Sequence, residues 1–377
     1  MTLPSKNLAL RSLITSSGEL RLSFDDIGMP TCKPHEVLVR VDAAPINPSD
    51  IGLLFGPADM KAAQATGQGE ARVVTARVAG SMLPSLHARL DRPQVAGNEG
   101  AGLVVAAGSS EAARALVGKI VSAVPGGMYA QYRAVAADQC LVLDEGTTAI
   151  EGSGAMVNPL TVLGMIETMR IEGHTALVHT AAAGALGQQL VRACNEENIP
   201  LVNIVRSEAQ VELLRHLGAE HALDATSDTF QRDLEAAISA TGATLAFDAI
   251  GGGKLAGQIL GAMESVLVAK MERYNRYGSE THKQVYLYGA LDTSPTELRR
   301  NFGMAWGVGG WLLFPFLQKA GPERLAELKA KIARGLKTTF ATTYNHEVAL
   351  TDVLAADTLA GFSKRATGAK YVVIPSR

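Results

Sequence analysis

The chain has 377 residues, enough for two domains on a soft prior of about 150 residues each. A formal net charge of −2 and 5% aromatics give little to hold nucleic acid or an anionic membrane surface. There is no apolar run of about 18 residues, no apolar leader segment, and no C-x-x-C among Cys32, Cys140 and Cys194. These absences argue against a membrane span, a secretory signal, a disulfide framework and a structural zinc, and a cytoplasmic protein is expected by elimination.

Residues 1–147 read as mostly β. Short strands such as 36–41 and 102–107 alternate with Gly/Pro turns. From 148 onward helical patterns alternate with continuous apolar strands at 175–180, 201–205, 244–249 and 285–289, which predicts a doubly wound parallel sheet. The segment 175–188 reads as a buried strand, a tight small-residue turn and the start of a helix. Ala182, Gly184 and Gly187 occupy the three positions of a G-x-G-x-x-G fingerprint, with Ala185 and Leu186 between the last two. Small residues there let the backbone approach a pyrophosphate at a helix N-terminus. A helix over 188–197 and a second strand over 201–205 complete a βαβ unit of the expected size.

Sites for NAD usually carry Asp or Glu at the end of that second strand. This chain has Arg206 and Ser207. A guanidinium pairs bidentately with a 2′-phosphate, so the pattern predicts NADPH over NADH; otherwise Arg206 is a solvated loop residue. Ile250 and Gly251 follow the 244–249 strand, and Gly289 and Ala290 close the next. Ligands of open α/β sheets bind beyond the carboxyl ends of strands, which makes these residues cofactor contacts or else plain turns. A long helix over 322–337, a short strand, a further helix and a strand over 370–374 end the chain. The last strand is expected to rejoin the first domain, giving domains of 1–147, completed by 320–377, and 148–319.

Further segments run in order along the chain: Pro45-Ile-Asn-Pro-Ser-Asp50, Gly97-Asn-Glu-Gly-Ala-Gly102, Asn158-Pro-Leu-Thr-Val162, Ala181 to Gly187, and Lys364-Arg-Ala-Thr-Gly-Ala-Lys370. Together they resemble the medium-chain dehydrogenase/reductase superfamily, in particular its zinc-free branch of quinone oxidoreductases and enoyl thioester reductases. The resemblance implies an α/β protein: a GroES-like β-rich domain plus a Rossmann domain, with the active site in the cleft between them. It places Thr161 beside the nicotinamide and Lys370 in the closing segment among the cofactor contacts. It makes 307–316 a wall of the pocket, with Trp311 over the substrate or buried as a connector, and it implies a homodimer.

Zinc-dependent relatives have Cys and His where this chain has Asn47 and Asn98, and neutral amides are poor Zn²⁺ ligands, so no metal is expected. Asp50 and Glu99 then read as structural groups. Without a Lewis acid, hydride delivery suits a quinone or a C=C conjugated to a carbonyl, with the acceptor oxygen held by hydrogen-bond donors. Asn47 is a candidate donor through its amide, or a turn residue before Pro48. Relatives carry a Tyr where this chain has Ala58. Two insertions, 59–95 and 264–284, stand out, and the second offers Tyr274 and Tyr277 as replacements or else as surface residues. The other readings are a non-catalytic NADPH-binding sensor or scaffold, and a zinc alcohol dehydrogenase.

Overall fold

In the computed structural model, residues 3–364 and 367–377 are described. Arg365 and Ala366 of the closing segment fall outside them. The chain divides into two compact units, Met1–Val157 with Lys331–Arg377, and Asn158–Ala330. The residue pattern changes earlier, at 148, because Thr148 starts a short helix, Ala149–Gly152, that stays with the first unit. Thr148 accepts a bond from the Glu151 N–H while the Glu151 carboxylate accepts from the Thr148 N–H, a reciprocal capping box. At the other end one helix, Leu313–Gly335, runs past the change at 320. Gly321 interrupts it with a left-handed backbone (φ 81°) just before Pro322.

The first unit is built around the ten-residue strand Glu36–Pro45. Gly100–Ala107 pairs along it antiparallel on one side and Tyr132–Ala136 on the other. Its end receives Tyr371–Ile374, through Val372 opposite Pro45 and Val373 opposite Ala44. A second sheet holds the hairpin Leu8–Ile14 and Glu19–Asp26. Alternate residues Leu20, Leu22 and Phe24 of that hairpin are buried, the two-residue period of a half-covered strand. The 59–95 insertion is part of this sheet, because Val73–Arg77 pairs with Glu19–Asp26 and Gln64–Thr66 with Val73–Arg77. The Arg89 guanidinium ties it down, donating to Ser12 Oγ at 2.7 Å and to the Leu53 carbonyl at 2.5 Å.

The second unit holds six parallel strands in the order His221–Asp224, Leu201–Val205, Leu177–Thr180, Leu245–Asp248, Lys283–Leu287, Trp306–Gly310. Val178, Ala246 and Val285 bury against Phe230, Leu234 and Ile259 of two helices on one face. Burying a Val, Leu or Ile side chain in this way contributes about 1.5–3 kcal/mol. His179 and Phe247, one residue on, point to the other face, where Phe247 meets Trp311 edge-on at 5.6 Å. Among the described residues no helix is long and apolar enough to cross a membrane.

Candidate functional site

The fingerprint turn joins the strand Leu177–Thr180 to the helix Ala185–Glu196. Ala181 takes a left-handed backbone (φ 50°), unusual without glycine and a mark of strain held at a functional turn. Gly184 is the N-cap and brings no side chain, so the first-turn N–H groups of Ala185, Leu186 and Gly187 face outward for an anion. Gly187 is dictated by packing: a Cβ there would lie 2.2 Å from the Ala182 carbonyl oxygen.

Asp248, fully buried at the end of its strand, shapes the next turn. It accepts from Thr180 Oγ1 at 2.6 Å and from the N–H groups of Ile250 at 2.9 Å and Gly251 at 3.2 Å. The Thr180 hydroxyl in turn accepts from the Ala249 N–H at 2.9 Å. The Leu291 N–H bonds the Ala249 carbonyl at 3.1 Å, fixing Gly289 and Ala290 beside this turn. Arg206 is exposed at the end of Leu201–Val205, its N–H bonded to Gln210 Oε1 at 3.1 Å. Ser207 is the N-cap of the helix Glu208–His216, with its hydroxyl not engaged as a cap. A side-chain-free helix N-terminus, a strand end carrying Arg and Ser, and two tight strand-end turns fit the diphosphate of a nicotinamide dinucleotide. Thr161 belongs to the same unit and is buried on the helix Val157–Ile171.

The first unit holds a buried polar network. Asn47 caps the helix Pro48–Phe55: its N–H donates to Asp50 Oδ2 at 2.8 Å, and Asp50 Oδ1 accepts from the Asn98 N–H at 2.7 Å. The Asn47 amide donates to Glu99 Oε1 at 2.8 Å. Glu99 Oε2 accepts the N–H groups of Met156 at 3.0 Å and Val157 at 2.8 Å. Lys370 completes it, its ammonium 2.5 Å from Asn47 Oδ1 and 3.0 Å from the Ile46 carbonyl. Burial pushes the Asp50 carboxyl up to about 7 against the pull of its two N–H donors. It raises Glu99 as well and lowers Lys370, and each carboxylate and the ammonium favours the other's charged form. Gly97 places the segment: its φ is 94°, and a Cβ would meet the Tyr129 backbone nitrogen at 2.6 Å.

The remaining candidate residues divide between the two units. Asn47 is 2% exposed, its amide donating to Glu99 and accepting from Lys370, which makes it the hub of a buried network. Lys370 lies in that network in the first unit, its ammonium donating to Asn47 Oδ1 and to the Ile46 carbonyl. Trp311 is buried as a connector: its indole N–H donates to Thr168 Oγ1 at 3.0 Å, and its ring packs on Phe247 and Phe316. Tyr274 and Tyr277 are 93% and 53% exposed, and Tyr277 stacks under Arg276. The physical reason is topological. The 264–284 insertion precedes the strand Lys283–Leu287 and so sits at the amino end of a parallel sheet, whereas ligands gather at the carboxyl ends.

Sequence reading missed what holds that insertion. Lys283, with no exposed surface, donates to Glu264 at 2.6 Å, Ser279 Oγ at 2.9 Å and the Thr281 carbonyl at 3.1 Å. It also missed Asp248. The available signal was a lone acid inside an apolar strand before a Gly run.

Residues 33–145 match the model of the alcohol dehydrogenase GroES-like domain. The chain is 30% identical over 234 residues to the mitochondrial enoyl-[acyl-carrier-protein] reductase of Xenopus tropicalis, covering 58% of this chain and 57% of that protein. It thus spans little more than half the length of this curated relative. Among solved structures, a candidate NADPH:quinone reductase from Mesorhizobium loti superposes with a TM-score of 0.74 at 26% identity, over 100% of both chains. A mycobacterial protein solved in complex with NADPH gives 0.68 at 17% identity over 98% of this chain and 100% of that one, a likeness of fold. The β-rich unit with its matched domain model, the doubly wound parallel sheet and the full-length structural match together make this chain a member of the medium-chain dehydrogenase/reductase superfamily.

Proposed function

We propose that this protein is a zinc-independent, NADPH-dependent oxidoreductase that delivers hydride to a quinone or an α,β-unsaturated carbonyl. The observation that carries the reading is the side-chain-free N-terminus of Ala185–Glu196 followed by Arg206 and Ser207 at the end of the next strand. Bound NADPH would supply a hydride. This chain's part is to cradle the diphosphate with first-turn N–H groups and to pair Arg206 with the 2′-phosphate. The relatives named as enoyl reductase and NADPH:quinone reductase support the acceptor class. Zinc independence rests on the donor set: Asn47 and Asn98 are neutral amides, and the Lys370 ammonium stands against Asn47, where a second cation would be repelled.

The Arg206→Glu variant tests the reading. It exchanges a charge-assisted bond of about 1.5–3 kcal/mol for repulsion, so NADPH affinity should fall about 100-fold while NADH affinity changes little. Equal NADPH affinity in both proteins would reject the role of Arg206. Absence of NADPH oxidation across quinones, enones and enals would reject the reductase. The second reading, a non-catalytic NADPH-binding sensor or scaffold, is favoured by Ala58, a methyl group packed on the first unit's core where relatives carry a Tyr. Tight cofactor binding without turnover would select it.

We place the protein in the cytoplasm as a homodimer acting on small-molecule acceptors, with no nucleic acid or membrane partner. No disulfide joins Cys32, Cys140 and Cys194 among the described residues, which suits a reducing compartment. The strand Trp306–Gly310 is the sheet edge, followed by exposed Leu312 and Phe314. Light scattering should give twice the 39.6 kDa chain mass, and Phe314→Glu should shift it to the monomer. A monomeric wild type would refute the dimer.

A further inference from the structure

A buried side-chain pair stands at the carboxyl ends of the strands, unused by the cofactor cradle. His179 is the third residue of Leu177–Thr180, two residues before the fingerprint turn, and is 1% exposed. Tyr288 follows Lys283–Leu287 directly and precedes Gly289 and Ala290; it is half-buried. His179 Nε2 lies 2.7 Å from the Tyr288 hydroxyl, and the rings stack at 5.8 Å. His179 Nδ1 is buried and has no hydrogen-bond partner among the described residues.

These facts fix the direction of the bond. Burial pushes the imidazole down to about 3, so the ring is neutral and carries one N–H. A proton on Nδ1 would leave a buried N–H without an acceptor, the costlier kind of orphan. The proton therefore sits on Nε2 and is donated to the Tyr288 oxygen. Tyr288 accepts there, and its own O–H is left to donate elsewhere. Burial, with Asp248 nearby, raises the phenol well above its ordinary value, so that proton stays on the oxygen. A phenol held protonated by its surroundings and oriented by a neutral imidazole is a fixed hydrogen-bond donor.

We propose that Tyr288, positioned by His179, donates the hydrogen bond that stabilises the acceptor oxygen as it gains negative charge. This rests on the reductase reading above. The balance is that of an ordinary reduction: NADPH gives up a hydride and becomes NADP⁺, the acceptor takes both electrons, its oxygen becomes an enolate or hydroquinone anion, and solvent supplies the proton. Tyr288 keeps its proton throughout. Tyr288 directly precedes Gly289 and Ala290, in the same unit as the proposed cofactor turns.

A probe that needs no turnover tests it. 4-Nitrophenolate, a stable anionic oxygen, is titrated into protein saturated with NADP⁺ while its absorbance band is followed. Wild type should bind it with a blue-shifted band. Tyr288→Phe, which keeps the stacked ring, should bind at least about tenfold more weakly and without the shift. Its NADP⁺ affinity should change less than about twofold, and kcat for NADPH oxidation should fall about 100-fold with KM for NADPH unchanged. His179→Gln, which offers an N–H at similar reach, should retain more of the shift than His179→Leu. Identical phenolate binding and band in wild type and Tyr288→Phe would overturn the role of Tyr288, as would a wild type that binds NADP⁺ and not the phenolate. Failure of the wild type to bind NADP⁺ would instead overturn the cofactor reading beneath it.

Discussion

Lys283→Met should lower the stability of the second unit by about 3–5 kcal/mol, seen as an earlier midpoint in urea unfolding. Methionine fills much of the volume but takes away three donated bonds. Glu264 would then keep its charge with only the Ser279 N–H and hydroxyl, at 2.8 and 2.5 Å, to hold it. Burial works against the Glu264 carboxylate, and the Lys283 and Ser279 bonds outweigh that, leaving its value below the ordinary one. A depressed carboxyl stabilises the fold above its unfolded value of about 4.5 and loses that contribution as pH falls through the folded value. The variant should therefore lose part of the wild type's acid sensitivity below that pH. Pairing it with Glu264→Met should recover most of the loss, since an apolar pair has no unmatched charge. A single-variant loss under about 1 kcal/mol would show that the pair does not hold the insertion.

The second large effect is expected in the first unit. Lys370→Met removes the cation among Asp50, Glu99 and Asn47. Lys370 is half-buried by area although its ammonium is enclosed, so the loss should be smaller, about 2–3 kcal/mol near neutral pH. The carboxyl it faces contributes with the opposite sign to Glu264, so the fold as a whole responds differently here. The Asp50 carboxyl is already raised from 3.8 to about 7, so between those values the native chain holds a proton that the unfolded chain has released. Stability therefore falls as pH rises through that window. Lys370 moderates the rise of both carboxyls, and removing it raises them further. The variant should be closest to wild type near pH 4 and furthest from it near pH 8, by thermal melts. A deficit independent of pH would show that Lys370 acts only by packing.

These two lysines show where sequence reasoning reached its limit. Lys370 was legible as part of a closing segment, yet its partner Asn47 is 323 positions away. Only the pairing of Tyr371–Ile374 with Glu36–Pro45 brings them together. Trp311 looked like a pocket wall from its aromatic neighbourhood, and nothing in the chain order says that Thr168 takes its N–H. Tyr274 and Tyr277 were chosen for their chemistry, and the parallel sheet carried them to its other end. His179 and Tyr288 read as ordinary members of apolar strands, because 109 positions separate them and only strand order makes them neighbours.

By itself the sequence determined what depends on near neighbours in the chain. The two-residue and helical periods marked the β-rich and alternating stretches. The small-residue turn 181–187 and the Arg206 that follows marked a dinucleotide cradle, because a tight turn, a helix start and a strand end are local events. The tertiary structure alone decided which polar groups meet once the strands are ordered. It spent Asn47 and Lys370 on each other, buried Trp311, exposed the insertion tyrosines and set His179 against Tyr288. Hydrogen bonds form between atoms about 3 Å apart, and that proximity is a property of sheet order and register, which residue pattern does not encode.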